Sequence, residues 1–158
     1  RLVKIRAAVR ADAAEHMAIW NYALRETTIT FNPVEKTIEE VVALTRKDCL
    51  VWEHGGRIQG FARYFQFRGG EGYRFTVEHT VMLHADGHGQ GGGRRLMQAL
   101  FADAKAAGMH SMFAGCSAEN AGAICFHEQM GFQEVATLCE VGFKFGRWID
   151  LVLMQKRL

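Results

Sequence analysis

Residues 73–100 read YRFTVEHTVMLHADGHGQGGGRRLMQAL, and the rest of the chain is organised around this stretch. Its first part has the pattern of a β-strand, predicted over residues 73–83. Glycine then occupies positions 87, 89, 91, 92 and 93. An apolar stripe that includes Leu96, Met97 and Leu100 predicts a helix after the glycines, and Gly108 is expected to end it. The order is therefore strand, glycine loop, helix.

A glycine-rich loop in this position can surround an anion. Because glycine has no Cβ, the backbone N–H groups can turn inward around a ligand. The helix that follows adds its unpaired first amides and the positive end of its dipole. Arg94 and Arg95 place positive charge in its first turn. We interpret the loop as a pyrophosphate cradle; the alternative is a turn that binds nothing.

Length and composition favour a globular protein. The 158 residues predict one domain, residues 1–158, which is large enough to bury a core. An apolar content of 49% and a charged content of 23% are globular values. A net charge of +2 is too small to indicate nucleic acid or a membrane surface as a partner. Without a long apolar run or a signal-peptide pattern, we expect a cytoplasmic protein.

Cysteine and histidine spacing does not predict a metal site. The four cysteines, at positions 49, 116, 125 and 139, are far apart and form no Cys-x-x-Cys pair. Buried free thiols in a reducing compartment fit this spacing. Seven histidines are present, but no HExxH or similar motif occurs. We therefore expect no metal cofactor.

The other segments predict alternating strands and helices. Asp12 is expected to cap the first helix, and Thr37 with Glu40 predicts a capping box at the second. Residues 26–36 hold the only proline and are predicted to form a loop, and Gly55–Gly56 predicts a two-residue hairpin turn. Strands are predicted over 2–9, Cys49–His54, 57–67, 73–83, 111–116, 132–141 and 147–155, helices over 13–25 and 120–130, and glycine-rich turns over 68–72 and 142–146. This order gives a mixed sheet with helices on its faces, an α/β or α+β fold.

Three anion-binding loops can be compared with the glycine cluster. A P-loop requires Gly-Lys followed by a hydroxyl residue, which the chain lacks. The spacing Gly87-x-Gly89-x-x-Gly92 matches the Rossmann fingerprint, but three strands precede it and no acidic residue ends the next strand. Residues 88–93, HGQGGG, instead resemble the acetyl-CoA loop of the GCN5-related N-acetyltransferases (GNAT), whose pattern is Gln/Arg-x-x-Gly-x-Gly/Ala. His88 replaces the first residue of that pattern.

The resemblance covers most of the chain. Similarity to the phosphinothricin acetyltransferase branch is carried by residues 27–31 (TTITF), 76–81 (TVEHTV), 119–121 (ENA), 127–132 (HEQMGF) and 141–150 (VGFKFGRWID). It implies the GNAT fold, a mixed sheet of about seven strands flanked by about four helices. It also implies acetyl transfer from acetyl-CoA to the primary amine of a small amino acid such as phosphinothricin or methionine sulfoximine. Relatives are commonly homodimers, so a second copy is the expected partner.

Glu78 is the first candidate for the catalytic base. Acyl transfer to an amine requires removal of a proton, stabilisation of the thioester oxygen and neutralisation of the leaving thiolate. Glu78 is a carboxylate in the middle of an apolar strand, on the same face as Thr80. The resemblance supports a general base there, acting directly or through water; the alternative is a salt bridge to an arginine. His79 points to the other face and is expected to be a hydrogen-bonded core histidine.

The helix that begins after Asn120 supplies the second group. His127 can titrate near neutral pH and is the candidate acid or base, with a surface histidine as the alternative. Asn120 can cap the helix and, by resemblance, hydrogen-bond the cofactor. The resemblance also implies that strand splay beyond Glu78 frees backbone groups to bind the oxyanion. The expected acetyl-CoA contacts are Val81, Met82, Leu83, His88, Gly89, Gln90, Gly91, Gly92, Gly93, Arg94 and Asn120.

The turn before the Glu78 strand is the predicted substrate contact. Arg68 and Arg74 can hold a carboxylate or phosphinate by two-point contacts, as similar arginines in the branch suggest. The alternative is solvated surface charge. Phe31, Tyr73 and Phe143 are candidate walls of the pocket, although such aromatic residues more often belong to a core. With Thr80, the expected substrate contacts are Phe31, Arg68, Tyr73, Arg74 and Thr80.

Two other functions stay open at this point. An acetyltransferase for protein N-termini or polyamines is one, but basic residues precede Glu78, whereas a polyamine site should be acidic. A non-catalytic acetyl-CoA sensor is the other, and the presence of both Glu78 and His127 disfavours it. An amino acid N-acetyltransferase remains the main hypothesis.

Overall fold

The computed structural model describes residues 3–84 and 91–158. Seven strands form one sheet in the order β1-β2-β3-β4-β5-β7-β6. The strands are β1 (Lys4–Ala7), β2 (Cys49–His54), β3 (Arg57–Gln66), β4 (Thr76–Leu83), β5 (Ser111–Ser117), β6 (Gln133–Lys144) and β7 (Arg147–Arg157), and the helices are α1 (Ala13–Glu26), α2 (Ile38–Thr45), α3 (Gly92–Ala106) and α4 (Ala121–Gln129). This mixed sheet with flanking helices agrees with the predicted fold class.

Strands β4 and β5 are the only parallel pair among the described residues, and they soon separate. Thr76, Val77 and Glu78 pair with residues 111–113 of β5. Beyond Glu78 the two strands have no paired residues, although β4 stays paired with β3 up to Leu83. The sheet therefore opens between β4 and β5 at Glu78.

Two apolar clusters pack on opposite faces of the sheet, and β4 contributes to both. Val77 belongs to the cluster under α3, with Val81 and Leu83 packed against it. Met82 belongs to the cluster under α1 and α2. Because strand side chains alternate, Glu78 and Thr80 lie on the α1 face and His79 lies on the α3 face.

The start of α3 packs directly against the sheet. Gly92 is buried, and a Cβ added to it would lie 2.3 Å from the ring of Trp52. Gly91 has φ +76, in the left-handed region that favours glycine. A Cβ on Gly93 would lie 3.2 Å from the Leu83 side chain. The glycines thus allow the first turn of α3 to begin beside the end of β4.

Most predicted elements agree with the structure to within about two residues. The capping box is confirmed, since the Thr37 hydroxyl accepts from the Glu40 N–H and the Glu40 carboxylate accepts from the Thr37 N–H. The hairpin turn at Gly55–Gly56 is also confirmed, with both glycines at positive φ. Asp12 occupies the N-cap position of α1 as predicted, but its carboxylate binds the Arg6 guanidinium and the Val9 N–H instead of the first amides of the helix.

Two boundaries differ for local reasons. The strand predicted from residue 73 begins at Thr76, because Glu71–Tyr73 forms a short 3₁₀ turn. The connection predicted over 142–146 shrinks to two residues, Phe145 and Gly146. Both have positive φ, 53 and 75, as a tight hairpin turn requires, and β6 therefore continues to Lys144. No helix in the described residues is both long and apolar enough to span a membrane.

His16 supports the α1 side of the sheet. It is fully buried against Phe61, with ring centroids 3.9 Å apart, and stacks on Trp20. Neither ring nitrogen has a hydrogen-bond partner in the described part of the chain. Burial lowers the pKa of His16 to about 4, although the Asp12 carboxylate opposes this shift. At neutral pH, His16 is therefore an uncharged aromatic residue of the core.

This burial should make the protein less stable in acid. The unfolded chain protonates His16 near pH 6.5, whereas the native chain does so only near pH 4. The free energy of unfolding should therefore fall as the pH drops between these values, by about 1.4 kcal/mol per pH unit for this group. In urea unfolding at pH 7, 6 and 5, the free energy of unfolding of His16→Phe should depend less on pH than that of the wild type. The exposed His110, as His110→Gln, is the control; an unchanged dependence in His16→Phe would contradict the prediction.

Candidate active site

The opening between β4 and β5 leads into a cavity of about 690 Å³. Its walls come from β4, β5, β7, α1, α4 and the segment that follows α1. Eight residues predicted for the site line it, and five of these are Phe31, Thr80, Val81, Met82 and Leu83. Glu78, Asn120 and His127 line it as well. Segments far apart in sequence therefore converge on one chamber.

Glu78 lies where the two strands part. It is half-buried and is the last residue of β4 that pairs with β5. Its partners are Phe65 of β3 and Phe113 of β5. No arginine or lysine among the described residues forms an ion pair with it, so the salt-bridge alternative is not supported. Burial raises the pKa of Glu78. A carboxylate with a raised pKa is a stronger base, so it suits proton removal from an ammonium group.

Gly115 leaves space beside this carboxylate. A Cβ on Gly115 would lie 3.5 Å from the Glu78 Oε2 and 3.3 Å from the Leu151 side chain. Both Gly115 and Leu151 line the cavity. Because Gly115 has no side chain, none stands between β5 and the Glu78 carboxylate on this side of the cavity.

His127 is buried and forms a pair with His79. Its Nδ1 lies 2.7 Å from the Ala123 carbonyl oxygen, and its Nε2 lies 3.0 Å from the His79 Nε2. A carbonyl oxygen only accepts, so Nδ1 of neutral His127 carries the proton and Nε2 accepts from His79. Burial lowers the pKa of His127, and burial next to His127 lowers that of His79 to about 3. Both rings are thus neutral near pH 7.

This pairing changes the interpretation of the two histidines. His127 is only 5% exposed, so the surface alternative was wrong. His79 is the hydrogen-bonded core histidine that the strand pattern predicted. Nδ1 of neutral His127 already carries a proton, so only Nε2 can take one up, and Nε2 accepts from His79. Of the two candidate bases, Glu78 is the one whose proton-accepting group borders the cavity without a hydrogen-bond partner in the described residues.

Asn120 combines two roles at the start of α4. Its side-chain oxygen accepts from the Ala123 N–H, 3.0 Å away, so the predicted cap is confirmed. Because the cap uses the oxygen, the NH₂ group is the part that can donate to a ligand. Asn120 also lines the cavity.

The β4 backbone beyond Glu78 offers further donors. Every second residue of a strand directs its N–H away from a given neighbour. From His79 to Leu83 the side of β4 away from β3 has no strand partner. The splay expected near residues 81–83 is therefore present, and it begins one residue after Glu78.

The start of α3 fits a phosphate group. Arg95 N–H is the first to donate within the helix, to the Gly91 carbonyl, so the amides of residues 92–94 precede the helical ladder. Gly93 lies against Leu83 and Phe126, which both line the cavity. The predicted contacts Gly91, Gly92, Gly93 and Arg94 thus lie beside the opening. His88, Gly89 and Gln90 lie outside the described residues.

The predicted turn arginines are not in the cavity wall. Arg74 donates to the Glu71 carbonyl and lies over the Phe75 ring, and Arg68 lies over the ring of Tyr73. All three predicted contacts of this turn precede β4, whereas the cavity opens beyond Glu78. Phe143 is also outside the lining, 54% exposed against Trp148.

Lys36 is a basic residue in the lining that sequence reasoning missed. Its ammonium lies 4.7 Å from the ring centroid of Trp20, another residue of the wall. No local motif marks such residues, because they reach the cavity from distant elements. Other lining residues missed in this way are Trp20, Leu24, Ile29, Gly115, Cys116, Ser117, Phe126 and Leu151. In the described residues, no cluster of three or more His, Cys, Asp or Glu side chains could hold a metal ion.

The chain is similar in sequence and in structure to known acetyltransferases. Residues 12–132 match the acetyltransferase (GNAT) family. An L-methionine sulfoximine/L-methionine sulfone acetyltransferase of Salmonella typhimurium is 37% identical over 162 residues, covering 98% of this chain and 94% of the relative. A phosphinothricin N-acetyltransferase of Alcaligenes faecalis is 35% identical over 148 residues, covering 89% and 75%.

A solved structure is similar to this chain in fold as well as in sequence. A Salmonella typhimurium protein, determined with its cofactor acetyl-CoA, is similar to this fold with a TM-score of 0.96 and 35% sequence identity. The match covers 100% of this chain and 95% of that one. The sequence resemblance to a family of acetyltransferases is thereby confirmed.

Proposed function

This chain belongs to the GNAT acetyltransferase family, and we propose that it acetylates a small amino acid. The acetyl group of acetyl-CoA is transferred to the primary amine of an acceptor of the methionine sulfoximine or phosphinothricin type. The names of the relatives support this acceptor class. One catalytic domain, residues 1–158, is sufficient for the reaction in this proposal.

Each group of residues around the opening has a separate role in the proposed reaction. Acetyl-CoA supplies an activated acetyl group as a thioester. The first amides of α3, with Arg94, hold its pyrophosphate, and Asn120 donates to its pantetheine arm. Glu78 removes one proton from the acceptor ammonium, directly or through water. The amine nitrogen then forms the amide bond as the C–S bond of the thioester breaks, and the departing thiolate of coenzyme A takes up the second proton that the nitrogen loses. The freed N–H groups of β4 between His79 and Leu83 stabilise the charge that develops on the thioester oxygen.

The observation that carries this proposal is the position of Glu78. Its carboxylate has a raised pKa, lacks an ion-pair partner among the described residues and borders the space left by Gly115. A carboxylate that only stabilises the fold would be expected to have a cationic or N–H partner. A sensor that merely binds acetyl-CoA has no need of such a base.

Glu78→Gln tests the proposal, because the amide keeps the shape of the side chain and removes its basicity. We expect turnover to fall roughly 10²-fold or more with acetyl-CoA affinity retained. In the wild type, kcat/KM should fall as the pH drops through the raised Glu78 pKa, since only the carboxylate accepts a proton. The variant should lack this acidic limb.

Glu128→Gln is the matched control for a lost carboxylate, because Glu128 is exposed on α4. Wild-type turnover and an unchanged pH profile in Glu78→Gln would mean that Glu78 is structural. A chain that binds acetyl-CoA but acetylates none of a panel of amino acids, simple amines and peptides would instead be a sensor.

Two kinds of basic side chain are candidates to bind the carboxylate of the acceptor. Arg68 and Arg74 are favoured by their forked guanidinium groups and by resemblance to the branch. Lys36 is favoured by its place in the cavity wall. A group that holds the acceptor carboxylate fixes the distance from the amine to the thioester.

Arg74→Met and Lys36→Met distinguish these candidates. The residue that binds the carboxylate should, when replaced, raise the KM for methionine sulfoximine roughly thirtyfold, the effect of about 2 kcal/mol for a lost charge-assisted contact. The KM for acetyl-CoA should stay the same. The decarboxylated amine should be a poor wild-type substrate and should be unaffected by the substitution. Equal acetylation of that amine by the wild type would exclude a carboxylate clamp of either kind.

We also propose a homodimer that covers the β6–β7 hairpin. The hairpin surface, defined here as Val135, Val141, Phe143, Phe145 and Trp148, is at least half exposed. Strand β6 is also an edge of the sheet, so a second copy can pack against both its side chains and its backbone. Four cysteines that form no disulfide support a cytoplasmic location for this assembly.

Charge placed on the hairpin surface should separate the copies. In sedimentation velocity, the wild type should run as a dimer and Trp148→Glu as a monomer, because a buried carboxylate at the interface has no partner. Val34→Glu is the control, since Val34 is 68% exposed in the loop after α1. A monomeric wild type would rule out this dimer.

A further inference from the structure

Lys144 is a buried ammonium group that serves no role in the mechanism above. It is 3% exposed and lies near the end of β6. Its Nζ donates to three backbone carbonyls, those of Ala23, Thr27 and Thr30, the last at 2.7 Å. The three N–H donors of an ammonium group are thus matched by three acceptors. A buried charge bound in this way joins β6 to the end of α1 and to the segment that follows it.

Gly142, two residues earlier on the same face of β6, contacts that segment as well. A Cβ on Gly142 would lie 2.3 Å from the ring of Phe31. The ring therefore rests directly on the strand backbone, in space that only glycine leaves open. Phe31 follows Thr30, the residue whose carbonyl Lys144 holds.

The far end of the segment is fastened independently. The Asn21 side chain accepts from the Lys36 N–H at 2.7 Å and donates to the Lys36 carbonyl at 3.1 Å. Residues 27–36 are thus tied to the protein at both ends, although they form neither helix nor strand. The part between the two ties includes Phe31, in the cavity wall.

This segment borders only one side of the cavity. Trp20 belongs to the cluster on the α1 face of the sheet, the face of Glu78 and Thr80, and Lys144 holds the residue before Phe31 to the end of α1. The elements assigned above to acetyl-CoA, α3 and α4, lie on the other side or at the opening. Movement of the segment should therefore change the space for the amine and leave the cofactor contacts in place.

We propose that Lys144 and Gly142 are positioning residues that set the acceptor specificity by fixing Phe31 against β6. This inference rests on the proposed acetyl transfer, because it names which side of that site selects the amine. Neither residue touches the reacting atoms. Both act through the segment at residues 27–36.

Lys144→Met tests the ammonium group, because methionine keeps an unbranched apolar stem and removes the donors. We expect the KM for the amino acid to rise about tenfold while the KM for acetyl-CoA stays within about twofold, a split that general unfolding does not produce. Lys105→Met, an exposed lysine of α3, is the matched control and should match the wild type. A parallel rise in both KM values would contradict the proposal.

A double-mutant cycle between Gly142 and Phe31 gives a second test that does not depend on how Lys144→Met folds. Gly142→Ala should displace the Phe31 ring and change the ratio of kcat/KM between a small and a bulky amino acid. In the Phe31→Ala background the same substitution should have no further effect, because the obstructing ring is gone. Equal effects of Gly142→Ala in both backgrounds would overturn the positioning role.

The same assays separate this proposal from the proposed function. If the wild type acetylates no amine at all, the function is wrong. If the wild type acetylates amino acids but the KM split and the coupling between Gly142 and Phe31 are both absent, only the positioning role is wrong.

Discussion

The structure depends on the early separation of two parallel strands. Strands β4 and β5 share only three residue pairs before they diverge at Glu78. Divergence leaves backbone groups without strand partners, and these must be satisfied by solvent or by a ligand. The same event therefore creates the cavity, supplies its hydrogen-bond donors and leaves Glu78 at its entrance. Helix α3 crosses from β4 to β5, so its first turn lies beside the opening by topology.

Alternation along β4 separates two tasks on one strand. Glu78 and Thr80 lie on the α1 face, whereas His79 lies on the α3 face and pairs with His127. A slip of one residue would exchange these faces, so the register of β4 against β3 is a functional constraint. Burial also acts differently on the two faces. It makes the Glu78 carboxylate a better base, and it keeps both histidines uncharged.

Local chemistry made much of this molecule predictable from sequence. The capping box at Thr37, the turn at Gly55–Gly56 and the strand–loop–helix order around residues 73–100 each depend on neighbouring residues. Contacts between distant elements were not predictable. Lys144 reaches Ala23 across 121 positions, and no motif marks Gly115 or Leu151 as walls of the cavity. Proximity in sequence does not by itself place a side chain in the cavity wall. A strand advances about 3.3 Å per residue, and Arg74 precedes β4, whereas the cavity opens beyond Glu78.

The alternation of β6 has an evolutionary consequence. Val141, Phe143 and Phe145 are exposed, while the residues between them, Gly142 and Lys144, contact the segment that borders the cavity. Five consecutive residues therefore form two surfaces, one proposed for dimer contacts and one proposed for acceptor specificity. Under the dimer and the positioning role proposed above, a substitution that alters association should also shift the backbone of its neighbours and alter substrate scope. The effect of a substitution in this hairpin should therefore depend on the neighbouring residue, and tolerated substitutions should occur together at adjacent positions.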